Sequence, residues 1–178
     1  MGYTTEFYGE VQVTPALNPE EINFLRNFSK SRRMARKSGP YTVDGDNGDV
    51  FDAMGDDDVI NGNEPPPGQP GLWCQWIPNE DGTEISWDEG EKFYEAEKWM
   101  KYLIEHFLKP DCIAKEQLPF LQANHTVDGT IEANGEEHGD NWYLNVEENV
   151  VSTQHLKLTE EGKSTPVNYD IVAGSGRY

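Results

Sequence analysis

Histidine and cysteine are the side chains of this chain best suited to hold a metal ion or to act as a nucleophile. The four histidines lack the paired spacing of metal ligands: His106, His125, His138 and His155. The best alternative is a site at the last strands, where His125 and His138 would meet together with Glu136 or Glu137. Because isolated histidines are common on protein surfaces, we expect no metal site.

Motifs of known catalytic chemistry are also not found. Cys74 and Cys112 lack the C-x-x-C spacing of a zinc or redox site, so a zinc site that combines them with a histidine is the weaker alternative. The sequence has no glycine-rich phosphate loop and no G-x-S-x-G nucleophile elbow. Carboxylates are so abundant that no catalytic pair can be singled out. We therefore expect no cofactor and no catalytic residue, and we favour a non-enzymatic protein.

Acidic residues dominate the charge of the chain, with 33 Asp and Glu against 14 Lys and Arg and a net charge of −19. Nucleic acids and anionic membranes are repelled by such a surface, so neither is expected to bind directly. The expected partner is a basic protein surface. High charge also raises solubility by itself, which is the simpler explanation. The sequence does not indicate an oligomeric state.

The acids are densest in an irregular insertion, residues 38–70. Seven of them are the candidate partner-binding residues: Asp44, Asp46, Asp49, Asp52, Asp56, Asp57 and Asp58. The run DGDNGD resembles a calcium loop but fails the EF-hand pattern, because Gly48 occupies a ligand position and no glutamate closes the loop. A cation site remains the alternative to a solvated loop.

A basic run contrasts with this acidity and gives a second candidate surface. Five positive charges lie within residues 30–37, and the candidate residues are Arg32, Arg33, Arg36 and Lys37. Cations near a helix C-terminus interact favourably with its dipole, so a structural role with internal pairing to the acids that follow is favoured. Contact with phosphate or with an acidic partner is the alternative.

Four of the five tryptophans lie within residues 68–109, the stretch around which the rest of the chain is organised. Trp73, Trp76, Trp87 and Trp99 could stack against a sugar or a base. Large aromatic side chains are mostly well buried, however, so we expect them to form the core between a hairpin and a helix.

The elements that must position these residues follow from periodicity and turn signals. Alternation predicts strands at residues 5–13, 72–77, 83–87, 127–133, 142–146 and 150–158. Helices are predicted after Asn18-Pro19, and from the capping pairs Ser86/Glu89 or Asp88/Glu91 to Lys109. The resulting order, β-α-β-β-α-β-β-β, predicts an α+β domain whose two helices pack on one face of a mostly antiparallel sheet. The domain spans residues 1–158, and residues 159–178 are predicted to form a flexible tail.

Targeting signals are not expected. The first residues lack a basic start and an apolar run, and no stretch of about 18 apolar residues occurs. Two cysteines do not make a disulfide framework, so the expected setting is a reducing cytoplasm.

Several segments resemble a set of small proteins encoded by tailed bacteriophages and actinobacterial genomes. The segments are GQPGLWCQW, WDEGEKFY, WMKYLIEHFL, GTIEANGEE and EENVV, together with the opening YTTEFYGEVQVTPALNPEEINFLRNFSKSRRM. The resemblance covers residues 1–151 and brings no activity and no catalytic residue with it. It implies a phage-encoded accessory protein that acts in the host cell cytoplasm.

Charge and resemblance together suggest an acidic binding protein that engages a basic host or phage protein. It could mimic nucleic acid or inhibit a host defence or nucleic-acid-binding protein. One alternative is a small-ligand-binding protein or enzyme with its site at the tryptophan-rich hairpin. Another is a phage structural or assembly component.

Overall fold

A mostly antiparallel eight-stranded sheet forms the body of the protein in the computed structural model, which describes residues 2–43, 56–158 and 164–173. The strands are β1 (Thr5–Tyr8), β2 (Glu10–Thr14), β3 (Ala35–Arg36), β4 (Val59–Asn61), β5 (Trp76–Pro78), β6 (Glu84–Trp87), β7 (Thr126–Gly135), β8 (Asn141–Glu147), β9 (Val150–Leu158) and β10 (Ser164–Ile171). The strands of the large sheet follow the order β10-β9-β8-β7-β2-β6-β5. Strand β2 pairs with residues 126–129 of β7, and β1 pairs with residues 132–135 of the same strand. Strands β3 and β4 form a separate two-stranded sheet. The predicted α+β class is confirmed.

Two helices, α1 (Pro19–Lys30) and α2 (Ala96–Leu103), contribute to the same core as the inner face of the large sheet. Along β2 and β7 the buried positions alternate with exposed or partly exposed ones, as the periodicity predicts. Val13 pairs with Val127 and Ile131 with Leu144, so the apolar side chains of neighbouring strands meet on one face. The other face carries polar residues and faces solvent.

Helix α1 starts as its sequence predicts. The side chain of Asn18 accepts a hydrogen bond from the Glu21 backbone N–H, and the Glu21 side chain accepts one from the Asn18 backbone N–H. Pro19 occupies the first turn, where a missing N–H carries no cost. Phe24, Leu25 and Phe28 are the buried stripe that fixes the helix against the core.

The second helix is much shorter than the predicted segment from residue 88 to Lys109. It begins at Ala96 and continues from Ile104 to Leu108 as a π-helix. Glu89 and Glu95 have positive φ angles, which end any helix before Ala96. The predicted capping pairs at Ser86 and Asp88 do not start a helix. Instead, residues 88–95 run as an irregular segment.

Tertiary packing explains that difference. The ring of Phe93 lies 5.7 Å from the Phe7 ring and 5.1 Å from the Trp76 ring, both edge-on. Burying this side chain between the sheet and α2 therefore takes precedence over the helical propensity of the segment. The apolar stripe that predicted the helix is still buried, and Met100 and Phe107 show no exposed surface.

The tryptophan hairpin is confirmed only near its turn. Strand β5 begins at Trp76, not at residue 72, and it lies at an edge of the sheet. Gly82 has φ +74°, and a Cβ there would lie 2.8 Å from the Leu17 carbonyl oxygen, so the turn requires glycine. The backbone N–H of Leu17 donates to Gly82 O at 2.9 Å, which ties the turn to the start of α1.

The C-terminal segment differs from the predicted flexible tail. Within it, β10 (Ser164–Ile171) pairs antiparallel with β9 and forms one edge of the sheet. Residues 159–163 and 174–178 lie outside the described residues. Within β10, Val167, Tyr169 and Ile171 alternate with polar residues as in a strand, but Pro166 and the surrounding Gly, Ser and Thr residues led to the prediction of a tail.

Candidate functional site: the outer face of the sheet

The solvent-facing side of the large sheet carries a group of acidic residues that the strand register places side by side. Strand register places six carboxylates on this face: Glu6, Glu10, Glu84, Asp128, Glu132 and Glu147. They come from five strands, β1, β2, β6, β7 and β8. We call this surface the outer acidic face.

Counter-charges are not found on this face among the side chains that the structure describes. None of its six carboxylates forms an ion pair with a described Lys or Arg. Their described hydrogen-bond donors are neutral groups: Gln12 Nε2 donates to Glu84 at 3.1 Å, and the Glu148 backbone N–H donates to Asp128 at 2.6 Å. Among the described residues, the negative charge of the outer acidic face is therefore not compensated by a cation.

Tyr8 lies within the same face and is 53% exposed. Its hydroxyl donates to Glu6 Oε2 at 2.5 Å. That hydrogen bond and the nearby negative charge raise the pKa of Tyr8, so the phenol stays neutral at ordinary pH. An exposed ring among carboxylates is suited to contact a cation by charge and by its π face.

The predicted acidic loop is only partly described. Asp44, Asp46, Asp49 and Asp52 lie outside the described residues. Asp56 and Asp57 are exposed, in keeping with a solvated loop.

Asp58 has a structural role. It accepts hydrogen bonds from the Ser38 hydroxyl at 2.5 Å and the Ser38 backbone N–H at 2.8 Å. The hydroxyl hydrogen bond is the main reason why the pKa of Asp58 is lowered. The structure thus fixes Asp58 against the residues that follow the basic run.

The basic run does not form a surface patch. Arg33 is 1% exposed, its guanidinium lies 4.1 Å from the centre of the Phe28 ring, and it donates to the carbonyl oxygens of Pro40 at 3.2 Å and Thr42 at 2.5 Å. Arg36 is also buried. Burial of Arg33 and Arg36 agrees with an internal role, and the predicted pairing with the acids that follow stays a prediction.

Two of the three other cations of the run are also engaged, and the third, Lys30, is exposed. Arg32 donates to Gly62 O at 3.0 Å, and its guanidinium lies 5.9 Å from the centre of the Trp73 ring. Lys37 donates to Asp57 O at 2.5 Å. These contacts join the end of α1 to residues 57–62.

The four tryptophans of residues 68–109 divide into two pairs. Trp76 and Trp99 are fully buried, as a core role predicts. Trp73 and Trp87 are partly exposed and line two different hollows. The larger hollow has a volume of about 680 Å³ and its walls include Trp73, Tyr94 and Glu91.

His106 and both cysteines are buried in the interior. His106 is buried against Tyr41, with 2.7 Å from Nδ1 to the phenol oxygen, and burial lowers the pKa of His106 to about 4. Cys74 and Cys112 are buried free thiols, and burial raises the pKa of Cys74 to about 12.

His125 pairs with Glu21 inside the protein, whereas His138 is exposed. The site that would combine them is therefore not formed. Over the described residues, no group of three or more His, Cys, Asp or Glu side chains could hold a metal ion.

Comparison with protein-family models, with curated proteins and with solved structures finds no match for this chain. None of the helices in the described part of the chain is long and apolar enough to cross a membrane.

Proposed function

We propose that the protein is a non-enzymatic binding protein whose outer acidic face engages a basic surface of another protein. The observation that carries this proposal is the group of six carboxylates on neighbouring strands, without a described Lys or Arg among them. Complementary charge mainly raises the association rate and selects the partner. A rigid sheet presents these charges in a fixed arrangement, so ordering them on binding costs little entropy.

The biological setting that we propose follows from the resemblance to phage and actinobacterial proteins. A phage-encoded protein of this charge would act in the host cytoplasm on a basic host or phage protein. Nucleic-acid-binding proteins are the natural targets, since their basic grooves already accept a dense array of negative charge. The protein would then compete with nucleic acid as a mimic or an inhibitor.

Two matched triple variants test which surface binds. The first is Glu10→Gln/Glu132→Gln/Glu147→Gln, which removes three charges from the outer acidic face. The control is Glu80→Gln/Asp111→Asn/Glu116→Gln, which removes three exposed charges elsewhere. Both variants change the net charge by the same amount, so any difference between them reports position and not total charge.

Binding to immobilised poly-L-lysine is then measured at several salt concentrations. The proposal expects the face variant to bind at least about tenfold more weakly than the control variant, which corresponds to about 1.4 kcal/mol. It also expects wild-type affinity to fall steeply as salt rises. An equal loss of affinity for poly-L-lysine in both variants would refute the outer acidic face as the binding surface.

A second candidate function is small-ligand binding at the larger hollow, favoured by the partly exposed Trp73 and Tyr94 in its walls. No histidine lies among the lining residues. Titration of the intrinsic tryptophan fluorescence with a neutral saccharide series tests it. The assembly-component alternative stays a prediction, and co-purification with virions is its test.

A further inference from the structure

We infer that two neighbouring hollows beside the outer acidic face together bind one linear segment of the basic partner. A Lys or Arg side chain would enter the smaller hollow and an apolar side chain the larger one. This inference rests on the proposed function and adds to it the chemistry of the segment that is recognised. Glu91 lines both hollows and lies between them.

The smaller hollow, of about 290 Å³, has walls suited to a cation. Its lining residues are Thr4, Glu6, Phe7, Tyr8, Trp87, Glu89 and Glu91. Three of the seven are glutamates, three are aromatic and none is basic; of the aromatic residues, Tyr8 is exposed and Trp87 is partly exposed. A guanidinium or ammonium group in this hollow would gain both from the carboxylates and from the π faces.

Hydrogen bonds and ring contacts hold the aromatic wall in place before any ligand arrives. Trp87 Nε1 donates to Gln75 Oε1 at 3.1 Å, and the Trp87 ring packs edge-on against Phe7 at 5.6 Å between ring centres. The Tyr8 hydroxyl is bound to Glu6 at 2.5 Å. A preorganised wall reduces the entropy that binding must overcome.

The larger hollow is mainly apolar. Its walls include Pro65, Pro70, Leu72, Trp73 and Tyr94, and Tyr94 is 57% exposed. Such a wall suits an aliphatic or aromatic side chain better than a charged one. Of the polar groups that line it, Lys92 is already engaged, since its Nζ donates to Gly2 O at 2.8 Å.

A buried donor provides an independent indication of a ligand in the larger hollow. Trp99 is fully buried, and its Nε1 has no hydrogen-bond partner among the described residues. A Cβ placed at Gly71, which lines the hollow, would lie 3.7 Å from that nitrogen and within 4 Å of no other heavy atom of the described residues outside residues 70–72. Trp99 itself does not line the hollow, but its indole nitrogen lies close to Gly71, which does. A small shift of the Gly71 backbone would let a peptide carbonyl accept this hydrogen bond, whose absence is costly in a buried site.

Charge complementarity favours a peptide over a saccharide. A saccharide would use the aromatic walls of the larger hollow but would leave three adjacent carboxylates without a cation. A segment that carries both an apolar and a basic side chain satisfies the walls of both hollows. It also continues onto the outer acidic face, because Glu6 and Tyr8 belong to that face as well as to the smaller hollow.

Nuclear magnetic resonance titration of the ¹⁵N-labelled full chain tests the inference with two capped peptides, acetyl-Leu-Gly-Arg-amide and acetyl-Leu-Gly-Gln-amide. We expect the arginine peptide to shift the backbone amides of residues 87–94 and the indole N–H of Trp73, Trp87 and Trp99. The glutamine peptide should bind about tenfold more weakly, the factor for 1.4 kcal/mol. Equal binding of the two peptides, or shifts confined to other residues, would overturn the inference.

Variants distinguish the contributions of the two hollows to peptide binding. Glu89→Gln/Glu91→Gln should remove the preference for arginine, and the charge-matched control Glu80→Gln/Glu116→Gln should keep it. Gly71→Ala should weaken the binding of both peptides equally, because the added methyl group covers the Trp99 N–H. The methyl group would lie 3.7 Å from the Trp99 Nε1, an ordinary contact distance, so the fold should tolerate it. An unchanged melting temperature in each variant shows that the fold is intact. Peptide binding that Gly71→Ala leaves unaltered would refute the larger hollow as part of the site.

Two further outcomes are decisive. Stronger shifts of Trp73 and Trp99 with cellobiose than with the arginine peptide would overturn the peptide assignment in favour of a saccharide. If the face variant loses poly-L-lysine binding while neither peptide binds, only this inference fails and the proposed function stands.

Discussion

His125 and Glu21 form a fully buried pair in which the histidine Nε2 lies 3.2 Å from each carboxylate oxygen of Glu21. The other ring nitrogen, Nδ1, lies 2.7 Å from the Pro15 carbonyl oxygen. Both neighbours are acceptors, so only a doubly protonated imidazole satisfies them when Glu21 is ionised. Glu21 also accepts from the backbone N–H of Gln122 at 2.6 Å. The pair thus links the start of α1 to the chain before and after it.

This pair predicts a pH dependence of stability. Burial works against the charge on both groups, but hydrogen bonding outweighs it, so the pKa of His125 is raised above 6.5 and that of Glu21 is lowered below 4.5. The contribution of His125 to the free energy of unfolding is complete below pH 6.5 and is lost as the pH rises through the folded-state pKa of His125. The glutamate contribution is present above pH 4.5 and is lost as the pH falls through its own lowered pKa. The pair therefore stabilises the fold most between pH 4.5 and pH 6.5.

Urea unfolding of the wild type and of Glu21→Gln between pH 4 and 9 measures this effect. The variant should lose about 3 kcal/mol at pH 6, since it leaves a buried histidine without its counter-charge. That loss should shrink above the folded-state pKa of His125. Glu20→Gln, an exposed neighbour, should change stability by less than about 0.5 kcal/mol. Identical pH profiles for the wild type and Glu21→Gln would contradict the assignment.

Trp76 should be among the most costly core residues to truncate. It is fully buried, its Nε1 donates to Ala96 O at 2.8 Å, and its ring contacts Phe7 and Phe93. We expect Trp76→Ala to lower the free energy of unfolding by about 3–5 kcal/mol, through lost burial and the cavity left behind. Trp73→Ala, at a partly exposed position, serves as the comparison and should cost much less. Chemical denaturation followed by circular dichroism measures both.

Arg33 should behave as a structural residue. Its guanidinium donates to carbonyl oxygens on both sides of the turn after α1, so Arg33→Ala leaves buried acceptors without donors. We expect a loss of about 3 kcal/mol in the free energy of unfolding. Lys37→Ala, at an exposed position of the same run, should change it by less than about 1 kcal/mol. Similar small losses in both variants would show that Arg33 is not needed for the fold.

Duplex DNA should not bind the protein. The net charge is −19, and the basic run that could have offset it is partly buried and engaged by backbone carbonyls. A gel-shift titration of duplex DNA at physiological salt should show no complex at submicromolar protein. A complex that Arg32→Ala/Lys37→Ala abolishes would restore the run as a nucleic-acid site.

Elements with strong local signals could be predicted from the sequence. The Asn18-Pro19 start of α1 and the alternation in β7, β8 and β9 depend on residues close together in the chain, and the structure contains all four elements. The start of α2 could not be predicted, because it depends on packing of Phe93 against residues distant in sequence. For β10 the alternation of Val167, Tyr169 and Ile171 was a usable local signal, and only its pairing with β9 depended on the fold.

The sequence predicts which residues of each strand face solvent, but not which strands lie side by side to form the outer acidic face. The alternation of Glu6, Tyr8 and Glu10 with apolar residues indicates one wet face for the first strands, and Asp128 and Glu132 alternate in the same way. That these two sets lie side by side follows only from the register, which pairs Tyr8 with Glu132. In the sequence, the signal for this face is therefore the set of acids at alternate strand positions, and not the densest acidic run.

Both ends of the large sheet carry a proline, Pro78 in β5 and Pro166 in β10. A proline offers no N–H to an incoming strand, and the register shift between Pro166 and Asn168 further disturbs that edge. The Pro78 carbonyl is already occupied by Arg26, whose Nε and Nη2 lie 3.2 and 3.1 Å from it. Such edges discourage strand addition by a second chain. A protein that must remain dispersed at high concentration while presenting one broad face would gain from this protection against edge-to-edge aggregation.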